Sequence, residues 1–302
     1  MKKALLVLVA LLLVTGMLFV SCAQKKAPLG SEENPVVWGF VPSNESQEIV
    51  SGGEKVADMI LEKTGVHVKV SLATDYAGVI EGLSSDPPSV HMASLATFAY
   101  VLAHERGVAD AALVSVRYGS PTYNGQLIAG ADTGITKVED LKGKTFGRPD
   151  PLSTSGWIIP MLTMRAAGIN PESDLKEIVD AGGHPAVVAA VYNGDVQAGA
   201  TFVDARTSLE KQYPDVMEKV RVIAVSADIP NDGVQFSPTV PAELRDKIVN
   251  ALVEIASTDE GKKALQQGYS WTDLTKKNDS FYDPFRQVLQ ASGMKVEDLI
   301  KE

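Results

Sequence analysis

The chain has 302 residues, 45% hydrophobic and 22% charged, an ordinary globular composition long enough for two domains. Setting aside Lys2 and Lys3 of the leader leaves 26 basic side chains against 38 acidic ones, a formal charge of −12, which argues against nucleic acid and anionic lipid surfaces as partners. A single cysteine leaves no intrachain disulfide, and His67, His91, His104 and His184 stand at no metal-ligand spacing.

Lys2-Lys3 followed by an uncharged apolar run from Ala4 to Val20 is the pattern of a secretory signal, predicted over residues 1–21. A retained membrane anchor is the alternative, since the run is barely long enough to span a bilayer. Phe19-Val20-Ser21-Cys22 looks like a bacterial lipobox, so Cys22 is expected at the mature N-terminus as the site of lipidation rather than of redox or nucleophilic chemistry. Residues 22–34 read as a polar tether, and the globule is expected to start near Pro35.

Val36 to Val41, ended by Pro42, reads as a buried strand. Ser43 or Asn44 is positioned to cap a helix through about Lys63, with Gly52-Gly53 a weak spot inside it and Gly65 after its end. Val66 to Val70 alternates as a second strand, and Thr74-Asp75 caps a helix from Tyr76 to Leu83. A strand over Val90 to Leu95, a helix over Phe98 to Arg106 and a strand over Ala112 to Val116 complete the first series. This alternation predicts parallel βαβ units, whose ligands sit beyond the carboxyl ends of the strands.

Gly125 to Gly130 reads as a strand leaving this set. A second βα series follows through Val138 to Leu141, Lys144 to Gly147, a helix opened by Ser153, Glu177 to Val179, Pro185 to Tyr192 and Ala198 to Phe202. Val220 to Val225 is the last strand, the chain returns near Ile229, and the tail over Pro241 to Gly268 and Phe281 to Lys301 is mostly helical. The lobes are therefore expected at 35–124 with 230–302, and at 125–229.

In Asp150-Pro151-Leu152-Ser153-Thr154-Ser155-Gly156-Trp157, three hydroxyl residues and a glycine open an apolar helical run. A helix start leaves about four backbone N–H groups without intrahelical partners and carries partial positive charge. With three hydroxyls added, such a site can hold an oxyanion without lysine or arginine. Ser and Thr are also the favoured N-cap residues, so the residues alone leave a simple cap open.

Several segments together resemble the substrate-binding proteins of phosphonate, phosphite and phosphate ABC transporters, the PhnD-like family. They are Ala73-Thr74-Asp75-Tyr76-Ala77-Gly78-Val79, Tyr100-Val101-Leu102-Ala103, Asp140-Leu141-Lys142-Gly143-Lys144, the Asp150 to Trp157 stretch, Ala181-Gly182-Gly183-His184 and the run from Asn193-Gly194-Asp195 to Asp204-Ala205. The resemblance implies an α/β type II periplasmic binding protein fold, two Rossmann-like lobes joined by a two-segment hinge with the ligand in the cleft.

The resemblance further implies that Ser153, Thr154 and Ser155 grip a PO3 or PO4 group from one lobe. Tyr76 would reach it from the other, with His184 and the helix start at Pro185 as a further donor site. Carboxylates at the positions of Asp204 and Asp232 would face an amino group on an aminophosphonate, although Asp232 can equally build a turn with Gly233. Glu45 would border the cleft, unless it only favours its helix dipole. Ala96-Thr97-Phe98-Ala99 departs from the family's Gly-Pro and Ser before Tyr100, so a hydroxyl lost at Ala99 would be regained at Thr97; Tyr123 would add another near the crossing segment. Trp38, Trp157 and Tyr100 fit walls or core.

No phosphate-binding glycine loop, nucleophile elbow or dinucleotide fingerprint is present. The expectation is therefore a monomeric extracytoplasmic binder, not an enzyme and without cofactor, that captures a phosphorus oxyanion, closes and docks on a membrane permease. Two alternatives are a binder of a phosphorylated organic ligand such as a thiamine phosphate, and a lipoprotein sensor that reports its ligand to a signalling partner.

Overall fold

A computed structural model describes residues 27–296; the predicted leader, Cys22 with its lipidation, and the tail beyond 296 lie outside the described residues. The first series contains β1 (Val36–Phe40), α1 (Ser46–Thr64), β2 (Val68–Leu72), α2 (Tyr76–Ser84), β3 (Met92–Ala93), α3 (Thr97–Glu105) and β4 (Asp110–Val116). The second contains β5 (Thr122–Gly130), β6 (Thr145–Arg148), α4 (Ile159–Ala166), β7 (Glu177–Asp180), α5 (His184–Asn193), β8 (Ala198–Phe202) and β9 (Val220–Pro230). The chain returns through β10 (Gly233–Phe236), α6 (Ala242–Ser257), α7 (Asp259–Tyr269), β11 (Asp273–Lys276) and α8 (Asp283–Ala291).

Two sheets result, ordered β11-β4-β10-β3-β1-β2 and β7-β6-β8-β5-β9. β1 lies parallel to β2 and β3, and β6 parallel to β7 and β8, as the alternation predicts. Both sheets are nevertheless mixed: β10 and β11 run antiparallel to β4, and β5 runs antiparallel to β8 and β9. The cause is topological. A strand arriving from the other lobe, as β5 and β10 do, enters its sheet from the hinge end and so runs against the strands that point toward the hinge; β11 also starts from that end, because α7 finishes there with Tyr269 O against Arg117. β10 and β11 were not predicted; β10 lies before the tail expected to be helical, and β11 lies in the gap between its two helical stretches.

The chain passes between the sheets twice, at residues 117–121 and at Asn231-Asp232. Asn231 ties the two crossings together: its N–H donates to Pro121 O (2.9 Å), and its Nδ2 donates to Ser115 O (2.9 Å) and Ser120 O (3.0 Å).

Several local expectations change. α1 is unbroken through Gly52-Gly53, because its partner needs the missing side chain: a Cβ on Gly52 would fall 2.8 Å from both Ala264 O and Gly268 N of α7. Its N-cap is Glu45, with no side-chain cap hydrogen bond, rather than Ser43 or Asn44. The third strand shrinks to two residues, and Val138–Leu141 is a single 3-10 turn. Residues assigned to the tether are folded: Leu29 packs on the core beneath β1, Gly30 N–H bonds Asn34 O, and Gly30 O accepts from His67 N–H (each 2.8 Å).

Trp38 and Tyr100 are core residues, their polar ends taken by Ser94 Oγ (3.0 Å) and Asp279 Oδ1 (2.8 Å). One apolar cluster runs from Phe98 of the first lobe through Ile158 of the second to Phe285 of α8, so the C-terminal helix packs where the lobes meet.

Candidate ligand cleft

Four helix starts converge between the sheets. Asp75 caps α2, accepting from Gly78 N–H at 2.7 Å. The turn before α4 is wider than an α-helix: Trp157 N–H (2.9 Å) and Ile158 N–H (3.0 Å) both bond Ser153 O, giving a π-turn over Thr154–Ile158. Gly156 is required there, because a Cβ would lie 2.3 Å from the Pro149 ring. The starts of α3 and α5 contribute Ala96 and His184-Pro185.

Between them lies a cleft of about 590 Å³. Of the residues proposed from sequence, Glu45, Tyr76, Tyr123, Ser155, His184, Asp204 and Asp232 line it. Ser153, Thr154 and Thr97 do not. Ser153 Oγ accepts from Gly156 N–H at 3.2 Å, so this hydroxyl is the helix cap. Thr154 Oγ1 accepts from Phe98 N–H at 2.8 Å, and Thr97 Oγ1 donates to Pro230 O. These two hydroxyls tie the lobes and the hinge, and of the three consecutive hydroxyl residues Ser155 is the one that lines the cleft.

Two more bonds cross from lobe to lobe beside the cleft. Tyr76 N–H reaches Asp150 Oδ2 (3.3 Å), and His184 N–H reaches Ser43 O (3.4 Å). Asp150 also accepts from Leu152 N–H at 2.6 Å, and burial keeps its carboxyl above the usual range despite these bonds.

The cleft offers mainly neutral donors. Burial pushes the phenols of Tyr76 and Tyr123 up, that of Tyr123 to about 12 against the pull of a hydrogen bond from Ser155, so both keep their O–H. Burial and the nearby Arg117 push the imidazole of His184 down to about 3, leaving it neutral. Its ring lies against Phe202, 4.8 Å between centroids, and Nδ1 is buried without a protein partner.

Both aspartates already have cations. Asp232 Oδ2 accepts from Arg117 Nη2 (2.9 Å), Oδ1 lies 2.6 Å from Arg117 Nη1, and Ser115 Oγ adds a bond at 2.7 Å. Asp204 accepts from Arg206 Nε (2.9 Å) and Nη2, from Arg206 N–H (3.1 Å) and from Gln126 Nε2 (3.0 Å). Burial raises the Asp204 carboxyl, but these bonds outweigh it and hold it below the usual range. Asp232 is thus an ion-pair partner rather than a turn residue, and the two carboxylates are not bare.

Sequence reasoning missed Arg117, having pictured a site without arginine. Its signal was its place, directly after the β4 strand at a carboxyl end where ligands gather. Nε bonds Tyr269 O (3.1 Å) and Nη1 bonds Asn231 Oδ1 (3.3 Å); burial lowers its pKa but Asp232 more than compensates.

A family model described as "ABC transporter, phosphonate, periplasmic substrate-binding protein" matches residues 38–282. The chain belongs to this family. It is 27% identical over 285 residues to the phosphonates-binding periplasmic protein of Escherichia coli K12, covering 93% of this chain and 83% of the relative. It is 32% identical over 276 residues to the phosphate-import protein PhnD of Mycolicibacterium smegmatis, covering 84% of each. Among solved structures, the binding component of an ABC phosphonate transporter from Pseudomonas aeruginosa superposes with a TM-score of 0.77 at 26% identity, over 88% of this chain and 87% of the other. A Prochlorococcus marinus protein in complex with methylphosphonate shares the fold with a TM-score of 0.75 at 13% identity, over 86% and 98%. The fold is that of the type II periplasmic binding proteins. As a family member the chain is the extracytoplasmic binding component of an ABC transporter, not an enzyme.

Proposed function

We propose that the chain captures a phosphorus oxyanion, a phosphonate, phosphite or phosphate, between its lobes and presents it to the transporter's permease. The observation that carries this reading is the meeting of Tyr76 from one lobe with Ser155 and His184 from the other around one cleft. All three are neutral donors when the phenol and hydroxyl keep their protons, and the oxygens of such a group all accept. In a chain of net negative charge, local donors of this kind are what an anion needs. His184 Nδ1, buried without a protein partner, supports a polar ligand there.

The cleft volume also favours a second reading within the same chemistry. About 590 Å³ exceeds the space of one PO3 group and leaves room for an organic substituent. Calorimetric titration with phosphate, phosphite, methylphosphonate and a thiamine phosphate, with sulfate as control, tests both. Saturable binding of a phosphorus oxyanion is expected, and binding of none would overturn the reading.

We also propose that Cys22 is acylated and tethers the protein to the cell membrane, as Phe19-Val20-Ser21-Cys22 supports. A lipid-modified N-terminal Cys22 by mass spectrometry, with release of Cys22→Ala from membranes, is the expected result. An unmodified mature N-terminus elsewhere would exclude it.

A further inference from the structure

We propose that Arg117 sets the specificity of the cleft against cationic ligands, so that the substituent carried by the bound phosphorus oxyanion is uncharged or anionic and never an ammonium group. The inference rests on the oxyanion reading above.

An ammonium group enclosed in a cleft needs a counter-ion, because removing it from water unpaired is costly. The least exposed carboxylates lining the cleft are Asp204 and Asp232. Each is engaged by a guanidinium of the protein itself, Asp204 by Arg206 and Asp232 by Arg117 in a two-point pair. A ligand ammonium would therefore have to displace an arginine from its fork or sit beside it. Glu45 and Glu48 also border the cleft, but they are exposed at its mouth, where water screens them.

Arg117 has little freedom to yield. It belongs to one hinge crossing and Asn231-Asp232 to the other, so the pair joins the two segments. Nε is held by Tyr269 O and Nη1 by Asn231 Oδ1. A guanidinium has five N–H groups. Asp232, Asn231 and Tyr269 between them engage Nε, Nη1 and Nη2. The side chain forms part of the cleft wall, its guanidinium carbon 5.9 Å from the centroid of the Tyr123 ring. Its positive charge there suits an accepting atom on the ligand and repels a donor-only cation.

The test compares two ligands of nearly equal size, propylphosphonate and 2-aminoethylphosphonate, which differ by an ammonium in place of a methyl group. In calorimetric titrations of the wild-type protein, propylphosphonate is expected to bind at least about tenfold more tightly. Equal or tighter binding of 2-aminoethylphosphonate would overturn the inference. Failure of both, and of inorganic phosphate and methylphosphonate, would instead overturn the oxyanion reading. Arg117→Gln, which frees Asp232, is expected to shift the ratio toward the amine by about tenfold or more. Because an unpaired Asp232 can destabilise the fold, Arg117→Gln combined with Asp232→Asn serves as the folded control. It should lose the discrimination without gaining a preference for the amine. A double variant that still rejects 2-aminoethylphosphonate as strongly as wild type would show that Arg117 is not the determinant.

Discussion

The hydroxyl of Thr154, in the π-turn of one lobe, accepts a hydrogen bond from the backbone N–H of Phe98 in the first turn of α3 in the other, at 2.8 Å. A residue that reads as a ligand grip thus caps a helix across the cleft. Phe98 is fully buried, so its N–H has no water to fall back on. Thr154→Val removes the acceptor while keeping the shape. It should lower stability by about 1–3 kcal/mol in denaturant titration and increase the radius of gyration of the ligand-free protein in solution scattering. Thr154→Ser should restore both, and a Val variant as stable and compact as wild type would show that the bond does not hold the lobes.

Ser153 and Ser155 separate into different roles. Ser153→Ala loses the N-cap bond to Gly156 and should cost about 1 kcal/mol of stability with ligand affinity nearly unchanged. Ser155→Ala should weaken binding of phosphate or methylphosphonate about tenfold or more, since a lost bond to a charged group is worth roughly 1.5–3 kcal/mol. Calorimetry and thermal melts on the pair separate the two effects. The reverse pattern would mean that Ser153 is the oxyanion donor.

Gly52 permits backbone contact between α1 and α7. Gly52→Ala improves helix propensity by about 1 kcal/mol, but its Cβ meets backbone atoms at 2.8 Å rather than a flexible side chain. Overpacking of this kind costs about 1–3 kcal/mol, so net destabilisation is expected in urea unfolding. A stabilised variant would show that the helices separate freely.

His184 makes stability depend on pH. Burial, reinforced by Arg117, moves its pKa from 6.5 to about 3. Between these values the unfolded chain binds a proton that the folded chain does not. The contribution is therefore complete above pH 6.5 and is lost as pH falls toward 3. From pH 7 to pH 5 this amounts to about 2 kcal/mol. Denaturant titrations of ligand-free wild type and His184→Gln at both pH values should show a smaller decline in the variant. Equal declines would mean that the ring takes up its proton inside the fold.

The order of strands and helices was legible because it depends on local patterns. Alternating residues marked β2, apolar spacing and Asp75 marked α2, and the Ser153 cap marked the turn before α4. The family was also legible, through residue runs spread over most of the chain. What local pattern does not carry is which groups meet. β10 and β11 are short strands whose partners lie more than a hundred residues away in β4, so their pairing leaves little periodic trace. Thr97, Thr154 and Asp232 have the chemistry of ligand contacts in the sequence. Only the folding of two lobes about a two-segment hinge decides that Pro230, Phe98 and Arg117 reach them first, whereas Asp204 meets Arg206 within a single turn. A polar group is satisfied by the nearest complementary partner in space, and that distance belongs to the tertiary structure rather than to the order of residues.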